Sequence, residues 1–227
     1  MNVEKALKNC EIYLKQIKQY DPDPFYVNYF FVKYIDSVKK IFDLIFEEAN
    51  RDFGLFISEN ITYEKFFEKA KLKNDLKAIE FLKWYIENFS QEHHEQFPNI
   101  MKKICQFKNE LEKIPEIKIM IRTTDRYKDD ICQQIKINLS NEKLRSKSEL
   151  NIEIKRQLPI FLEITNHKRK LKKEPKIDDN QVIATAFLDI EDHKDVEIVY
   201  VSEIYIQVMK RLIKNSRIKI KELTTWK

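Results

Sequence analysis

Apolar residues recur at helical spacing through the first half of the chain. From Val27 to Phe46 they stand three or four residues apart, which is the pattern of an amphipathic helix. Pro24 marks the start of this helix, because proline fits a first turn and interrupts a helix interior. Gly54, the only glycine of the chain, stands where a left-handed residue commonly ends a helix. The pattern predicts one long, aromatic-rich helix from Pro24 to the turn at Gly54.

The same spacing predicts further helices on both sides of the long one. One spans Val3–Tyr20, a short one follows an N-cap at Thr62, another begins at Asn74, and a fourth spans 99–114. A proline ends the fourth helix, since the residue before a proline disfavours helical geometry. Together these helices predict an antiparallel helical bundle over residues 1–116.

After residue 116 the apolar period shortens to about two, which indicates β-strands with one exposed face. Alternation predicts strands in three segments, 117–121, 131–139 and 152–154, and a high content of β-forming residues predicts one more at 182–190. Pro159 predicts a loop or a sheet edge after the third, because proline cannot donate to a strand ladder. The expected fold class is therefore α+β, mainly α, with an N-terminal antiparallel helical bundle, a small antiparallel β portion and a closing C-terminal helix.

Two further segments complete the β-rich portion, which we assign to residues 117–227. The stretch 166–179, NHKRKLKKEPKIDD, has almost no apolar content, and this predicts a mobile basic linker. Asp195 is placed to N-cap a last helix, whose apolar residues would pack back on the bundle.

The composition narrows the classes of function. Phosphate-cradling loops and dinucleotide-binding turns need several glycines, so a single glycine argues against P-loop and Rossmann enzymes. A net charge of +5 favours acidic partners such as nucleic acid. No segment approaches the ~18 uncharged apolar residues of a membrane span, so we expect no membrane partner. We also expect no cofactor and no metal site.

The three cysteines are Cys10, Cys105 and Cys132. Their spacing matches neither a zinc site nor a redox motif, so we interpret them as structural thiols in a reducing compartment. The N-terminal segment is charged throughout, unlike a signal peptide. These features together lead us to expect a cytoplasmic protein.

The order of parts along the chain is similar to that of a known superfamily. An aromatic-rich helix, FYVNYFFVKYIDSVKKIF, precedes a tryptophan–tyrosine helix, EFLKWYIENF, and a helix ending in CQFKNELEKIP. A strand-rich segment follows, and then an acidic turn, LDIEDHKD, leads into the final helix. In this order of parts the chain resembles the HEPN superfamily, in particular its uncharacterised prokaryotic members. The resemblance implies a helical, homodimeric module connected with RNA or with defence and toxin–antitoxin systems.

The ribonucleases of that superfamily carry an arginine followed by a histidine, in the pattern R-x4–6-H. The histidine serves as acid and base, and the arginine holds the scissile phosphate. At the matching place this chain has Lys108, Asn109 and Lys113. Lysine can hold a phosphate as a point charge, but no histidine is present there to move a proton. We therefore expect a non-catalytic protein, and a diverged ribonuclease built on these residues is the alternative.

A second candidate catalytic group lies in the segment predicted as a strand at 152–154. Glu153 and Lys155, with Asp129 and Asp130 upstream, match the D…E-x-K pattern of metal-dependent nucleases. In such enzymes the carboxylates hold Mg²⁺ and the lysine positions water or stabilises charge. The alternative is an exposed strand face in a lysine-rich protein, which has the same sequence pattern, and we favour it.

Two polar segments resemble metal sites less closely. In Glu92-His93-His94-Glu95 the adjacent histidines point in different directions on a helix, so we interpret the segment as a polar turn. The acidic turn before the last helix either binds a divalent ion or is a solvated turn that caps the helix. It contains Asp189, Glu191, Asp192, His193 and Asp195.

The densest basic run consists of Lys168, Arg169, Lys170, Lys172 and Lys173. Contacts of these side chains with phosphates would release counterions and give salt-dependent binding of RNA or DNA. A solvated linker is the alternative, and no aromatic residue is interleaved for base stacking. We predict a non-catalytic module that binds RNA or a protein partner, ranked ahead of a ribonuclease and of a structural or regulatory protein without a nucleic-acid role.

Overall fold

The computed structural model describes residues 2–58, 61–89, 117–124, 133–135, 147–190 and 193–225. Its helices are α1 (Val3–Tyr20), α2 (Pro24–Asp52), α3 (Tyr63–Leu72), α4 (Leu76–Phe89), α5 (Lys147–Leu171) and α6 (Ile198–Thr225). Its strands are β1 (Lys118–Thr123), β2 (Gln133–Ile135), β3 (Val182–Ile190) and β4 (His193–Glu197), and a 3-10 turn spans Asp179–Gln181. The fold class is α+β and mainly α, as predicted.

The chain divides into two compact units. The first unit draws on 1–15, 31–114 and 202–227, and the second draws on 16–30 and 115–201. One division, after residue 114, lies close to residue 116, and the other three fall within α1, α2 and α6. None of the described helices is long and apolar enough to cross a bilayer.

Aromatic side chains form the centre of the first unit. The ring of Phe46 on α2 lies 5.4 Å from that of Phe66 on α3 and 4.9 Å from that of Tyr85 on α4, measured between centroids. The C-terminal helix joins this core, because the Tyr34 hydroxyl on α2 donates a buried hydrogen bond of 2.8 Å to the carbonyl oxygen of Ser202. The apolar stripe seen in the sequence is therefore covered on several sides.

The ends of these helices follow the capping residues closely. Gly54 adopts φ +63°, which confirms it as the left-handed residue that ends α2. The amide of Lys65 donates to Thr62 Oγ1 at 3.3 Å, which confirms the predicted N-cap of α3. The predicted start at Asn74 is early by two residues, because Asn74 itself is left-handed and Asp75 caps α4.

The second unit contains an antiparallel sheet with the strand order β2-β1-β3-β4. Three of its strands, β1, β2 and β3, overlap segments predicted as strands. The predicted exposed face is wrong for β1, because both of its faces are covered. One face of β1 and β3 packs on α5 in an apolar cluster. The cluster consists of Ile119, Ile121, Leu150, Phe161, Ile177 and Val182. The other face carries polar groups that are described below.

The strand predicted at 152–154, and with it the loop or edge at Pro159, is wrong. Both lie inside α5, a continuous helix of 25 residues. The alternation of Ile152 and Ile154 predicted a strand. In the structure only Ile154 packs on the apolar cluster, while Ile152 is 66% exposed. The packed positions 150, 154, 158 and 161 follow the helical period, which is the stronger signal over this length.

Two more predictions near the C-terminus require correction. The segment 166–179 is not a linker throughout, because α5 continues to Leu171 and Ile177 is buried. Asp195 does not cap the last helix; it lies in β4 with φ +55°, and α6 begins only at Ile198. The pairing of Val196 with Leu188 extends the chain through this region, which a local capping pattern could not reveal. The helix predicted at 99–114 lies outside the described residues.

Candidate nucleic-acid interface

The structure reaches only some of the candidate residues. Those outside the described part of the chain are Lys108, Asn109, Lys113, Glu92, His93, His94, Glu95, Asp129, Asp130, Cys105 and Cys132. Predictions for these residues stay predictions. Within the described part, no group of three or more His, Cys, Asp or Glu side chains is placed to hold a metal ion.

Glu153 and Lys155 lie on α5 rather than on a strand. Residues two apart on a helix project about 200° apart, so these two side chains do not converge on one ion. The Glu153 carboxylate instead accepts hydrogen bonds from Arg156 Nη2 at 2.7 Å and Gln157 Nε2 at 3.0 Å. The strand context of the E-x-K prediction is therefore wrong, and Glu153 interacts with its own helix.

The basic run lies at the end of α5 and in the turn that follows, residues 168–178, which we call the basic loop. Lys168, Lys170, Lys172 and Lys173 are exposed, as is Lys176 further along. Among the described residues, no carboxylate pairs with any of these five amines. The loop thus offers a cluster of positive charges to a ligand.

Arg169 differs from its neighbours because its side chain turns inward and is only 4% exposed. Its Nε donates to the carbonyl oxygen of Pro175 at 2.7 Å, and its Nη1 lies 3.3 Å from the Glu174 carboxylate. The guanidinium therefore ties the loop back onto α5. This residue, predicted to bind nucleic acid, is a positioning group for the lysines around it.

A second anchor fixes the far side of the basic loop. Asn166 Oδ1 accepts from the amide of Ile177 at 2.8 Å, and Asn166 Nδ2 donates to the carbonyl oxygen of Ile177 at 3.0 Å. The side-chain amide thereby pairs with the backbone as a neighbouring strand would. Ile177 is 7% exposed and belongs to the apolar cluster. The loop is consequently an ordered turn and not a mobile linker.

Sequence reasoning missed these anchors because they are polar. The segment was judged by its low apolar content, whereas Asn166 and Arg169 hold it by hydrogen bonds that composition does not register. The available signal was one isoleucine, Ile177, isolated among charged residues. The predicted basic run also left out Lys176, which belongs to the cluster because the loop folds back on α5.

The polar face of the sheet forms a second cluster, which no sequence pattern predicted. Asp21 lies between α1 and α2, and its carboxylate accepts hydrogen bonds from Thr185 Oγ1 at 2.6 Å and from the amide of Ala186 at 2.8 Å. The last β4 residue, Glu197, pairs with Phe187, so Ala186 lies just beyond the reach of that strand. Asp21 satisfies the backbone donor that β4 leaves free.

Burial raises the pKa of the Asp21 carboxyl from 3.8 to about 6. The hydrogen bonds from Thr185 and Ala186 oppose this rise, and of the two charged groups nearby, Glu197 adds to it and Arg122 opposes it. Arg122 Nη2 donates to Glu197 Oε1 at 2.9 Å, and Arg122 Nε lies 2.9 Å from Glu197 Oε2 as an ion pair without hydrogen-bond geometry. The charged groups of the cluster interact with one another, which indicates a structural role.

The raised pKa leads to a prediction for Asp21→Asn. Between pH 4 and pH 6 the folded protein binds a proton at Asp21 that the unfolded chain does not, so this group's contribution to the free energy of unfolding falls as pH rises. Asparagine does not titrate, and it can accept from Ala186 through Oδ1 and donate to Thr185 through Nδ2. We expect the variant to gain roughly 2 kcal/mol relative to wild type between pH 4 and pH 7. Urea unfolding at several pH values measures this difference, and a constant difference would contradict it.

The acidic turn shows a structural role at the residues that are described. The Asp189 carboxylate pairs with Lys118 on β1 and accepts from the amide of Asp195 at 3.0 Å. The hydrogen bond from Lys118, followed by the one from Asp195, lowers the pKa of Asp189. Glu191 and Asp192 lie outside the described residues. Asp189 is thus engaged within the sheet.

Cys10, the one described cysteine, is buried and free. Burial raises the pKa of its thiol to about 12, which leaves it protonated at neutral pH. This confirms the interpretation of Cys10 as a buried structural thiol.

Comparisons of the chain with protein-family models, with curated proteins and with solved structures gave no match. The resemblance to the HEPN superfamily therefore stays a prediction. What the chain does must be inferred from its own residues. Of the candidate groups predicted from the sequence, the basic loop has lysines that pair with no carboxylate among the described residues.

Proposed function

We propose that this protein is a non-catalytic module that binds single-stranded RNA through the basic loop. The observation that carries the proposal is the combination of five exposed, unpaired lysines with two inward anchors, Arg169 and Asn166. A solvated linker needs no such anchors. An ordered loop loses less conformational entropy when a ligand binds, so the same charges bind more tightly. The choice of RNA among polyanions follows the HEPN resemblance.

The lysines would contact phosphates and would not recognise the bases. Lysine is a point charge that suits a phosphate oxygen, and the loop has no aromatic residue on which a base could stack. For single strands the logarithm of affinity falls with the logarithm of salt by about 0.7 per phosphate contact. If all five lysines make contact, the slope is roughly −3.5. Binding should therefore be steeply salt-dependent and tolerant of sequence.

The charge-reversed variant Lys170→Glu/Lys172→Glu/Lys173→Glu tests the proposal. We expect its affinity for a labelled single-stranded RNA to fall at least tenfold at low salt, and the salt slope to flatten by about 2, because three phosphate contacts are lost. Fluorescence anisotropy across a salt series measures both. A gel run afterwards shows whether the RNA is intact.

The matched control is Lys5→Glu/Lys8→Glu/Lys214→Glu, which reverses three exposed lysines in the other compact unit. It changes the net charge by the same amount, so a general electrostatic effect would weaken both variants alike. Equal losses, or no binding by wild type even at low salt, would overturn the proposal. Shortened RNA that persists after repurification would instead support the diverged ribonuclease.

A further inference from the structure

Three large apolar side chains project into solvent at one end of the first unit. Phe56 is 83% exposed, Leu72 is 80% exposed and Leu76 is 71% exposed. We call these three residues the apolar tip. Single exposed apolar residues are ordinary, but a group of this size and exposure marks an interaction surface.

Lys73 holds the two segments of the tip together. Its Nζ donates to the carbonyl oxygen of Gly54 at 2.8 Å and lies 4.6 Å from the centroid of the Phe56 ring. The loop after α2 is thereby joined to the turn between α3 and α4. Leu72 precedes Lys73 directly, and Leu76 opens α4 after the turn. The tip is therefore one surface built from two loops.

The backbone at Phe56 has a conformation that is unfavourable for this residue type, and the Phe56 ring is exposed. Phe56 adopts φ +58°, a left-handed conformation that is unfavourable for a bulky residue. Asn50 fixes the next residue, because its Oδ1 accepts from the amide of Ile57 at 3.0 Å and its Nδ2 donates to the carbonyl oxygen at 3.2 Å. Leu55 on the other side is fully buried. Anchors on both sides thus keep a strained residue exposed, which points to a use for its ring.

The surroundings of the tip are basic. The segment 69–77 carries four lysines and one carboxylate, Asp75, which is already occupied in capping α4 through the amide of Ala78 at 2.9 Å. Lys71 lies 4.2 Å from the centroid of the Phe67 ring. Among the described residues, no carboxylate pairs with Lys69, Lys71 or Lys73. The tip combines projecting apolar groups with uncompensated positive charge.

We propose that the apolar tip docks on the surface of a bilayer that contains anionic phospholipids. Lysines attract anionic headgroups, and the projecting apolar side chains enter the acyl boundary below them. The near-complete exposure of all three side chains leaves no groove walls for a protein helix, whereas a fluid bilayer surrounds a projecting group. A second copy would bring like charges together, and RNA would leave the leucines in water.

This proposal departs from the expectation that the protein has no membrane partner. That expectation followed from the absence of a spanning segment, and no described helix is able to span a bilayer. Docking at the surface needs only a few inserted side chains and a basic rim. It is independent of RNA binding by the basic loop, which belongs to the other compact unit.

The test is co-sedimentation of the full chain with phosphatidylcholine vesicles, with and without phosphatidylserine. We expect binding only with phosphatidylserine, and at least a tenfold loss of affinity in Phe56→Ser/Leu72→Ser/Leu76→Ser. The matched control is Ile152→Ser/Ile160→Ser/Ile218→Ser, because these three residues are 66%, 46% and 48% exposed and lie outside both the tip and the basic loop. The control should bind as wild type does. Lys69→Glu/Lys71→Glu should also lose binding, since it removes the attraction to anionic headgroups.

Three results would overturn the proposal. The first is the absence of wild-type binding to phosphatidylserine vesicles, and the second is binding that the triple serine variant retains. The third comes from sedimentation velocity without vesicles: a wild-type dimer that becomes a monomer in the triple serine variant would assign the tip to a second copy of the chain. Circular dichroism of each variant checks that it is folded.

Discussion

Glu197→Ala should lower the free energy of unfolding by about 3–5 kcal/mol. Glu197 is the partner of Arg122, and both side chains are 8% exposed. Removing the carboxylate leaves a guanidinium buried without its counter-charge, and the cost of desolvating that charge is no longer offset. Arg122→Ala should have a similar effect, because it removes the positive charge opposite Glu197, which already raises the pKa of the nearby Asp21 carboxyl. Urea unfolding at pH 7 measures both losses.

The double variant Arg122→Met/Glu197→Met provides the control for this pair. It removes both charges and replaces them with apolar groups of similar length, so neither partner is left unsatisfied. Buried ion pairs replaced in this way are often neutral in stability or better, and we expect a change within about 2 kcal/mol of wild type. A double variant as unstable as the sum of the two single losses would show that Arg122 and Glu197 act independently.

Phe81→Ala is the second change for which we expect a large effect, about 3–5 kcal/mol. The Phe81 side chain is fully buried, and its ring lies 6.2 Å from those of Phe46 and Phe66 and 5.8 Å from that of Phe53, between centroids. Truncation leaves a cavity lined by rigid rings that cannot collapse into it. In a chain of this length the loss corresponds to a fall in Tm of roughly 10 °C.

The fluorescence of Trp84 can report the loss of stability within the first unit. Its ring lies 5.8 Å from that of Phe81, and a Trp226→Phe background restricts the fluorescence signal to Trp84. The matched control is Phe56→Ala, which deletes the same side chain at a position that is 83% exposed and should change the Tm little. Equal shifts in the two variants would contradict the assignment of Phe81 to a packed core.

The helices of the first half could be predicted because their signals are local. The bounds of α1 and the start of α2 agree with apolar spacing and with proline, and Gly54 and Thr62 occupy the cap positions that their chemistry favours. A helix is stabilised by contacts three and four residues apart, so a short window of sequence contains most of the information. The strands β1 and β2 were likewise recognisable from alternation, and β3 from its content of β-forming residues.

Alternation failed at α5, where the window was too short. Two isoleucines in ELNIEIKRQ resemble a strand, and only the sheet face formed by Ile119, Ile121 and Val182 reveals which of them is covered. The proline at position 159 strengthened the error, since its usual place is outside a helix interior. Packing against the sheet overrides both local preferences in this helix.

The candidate site was predicted from residue type, which does not give the direction of each side chain. The lysines of the basic loop were predicted as phosphate contacts, and the structure leaves them exposed as that role requires. Arg169 was grouped with them, yet its burial and its bonds to Pro175 and Glu174 make it the residue that shapes the loop. Charge can be read from a sequence, whereas the direction of a side chain depends on what lies beside it.

By itself, the sequence determined the fold class, the described helices of the first half, three strands of the sheet and the concentration of lysines after position 167. Tertiary structure alone decided which of these groups meet. Asp21 accepts a hydrogen bond from Thr185, which lies 164 positions away in the sequence, and Arg122 pairs with Glu197, which lies 75 positions away. Such contacts produce no periodic pattern in the sequence, because they join single residues on separate elements. The physical reason is that periodicity records the repeated environment of an element, while a buried polar contact depends on the final arrangement of the whole chain.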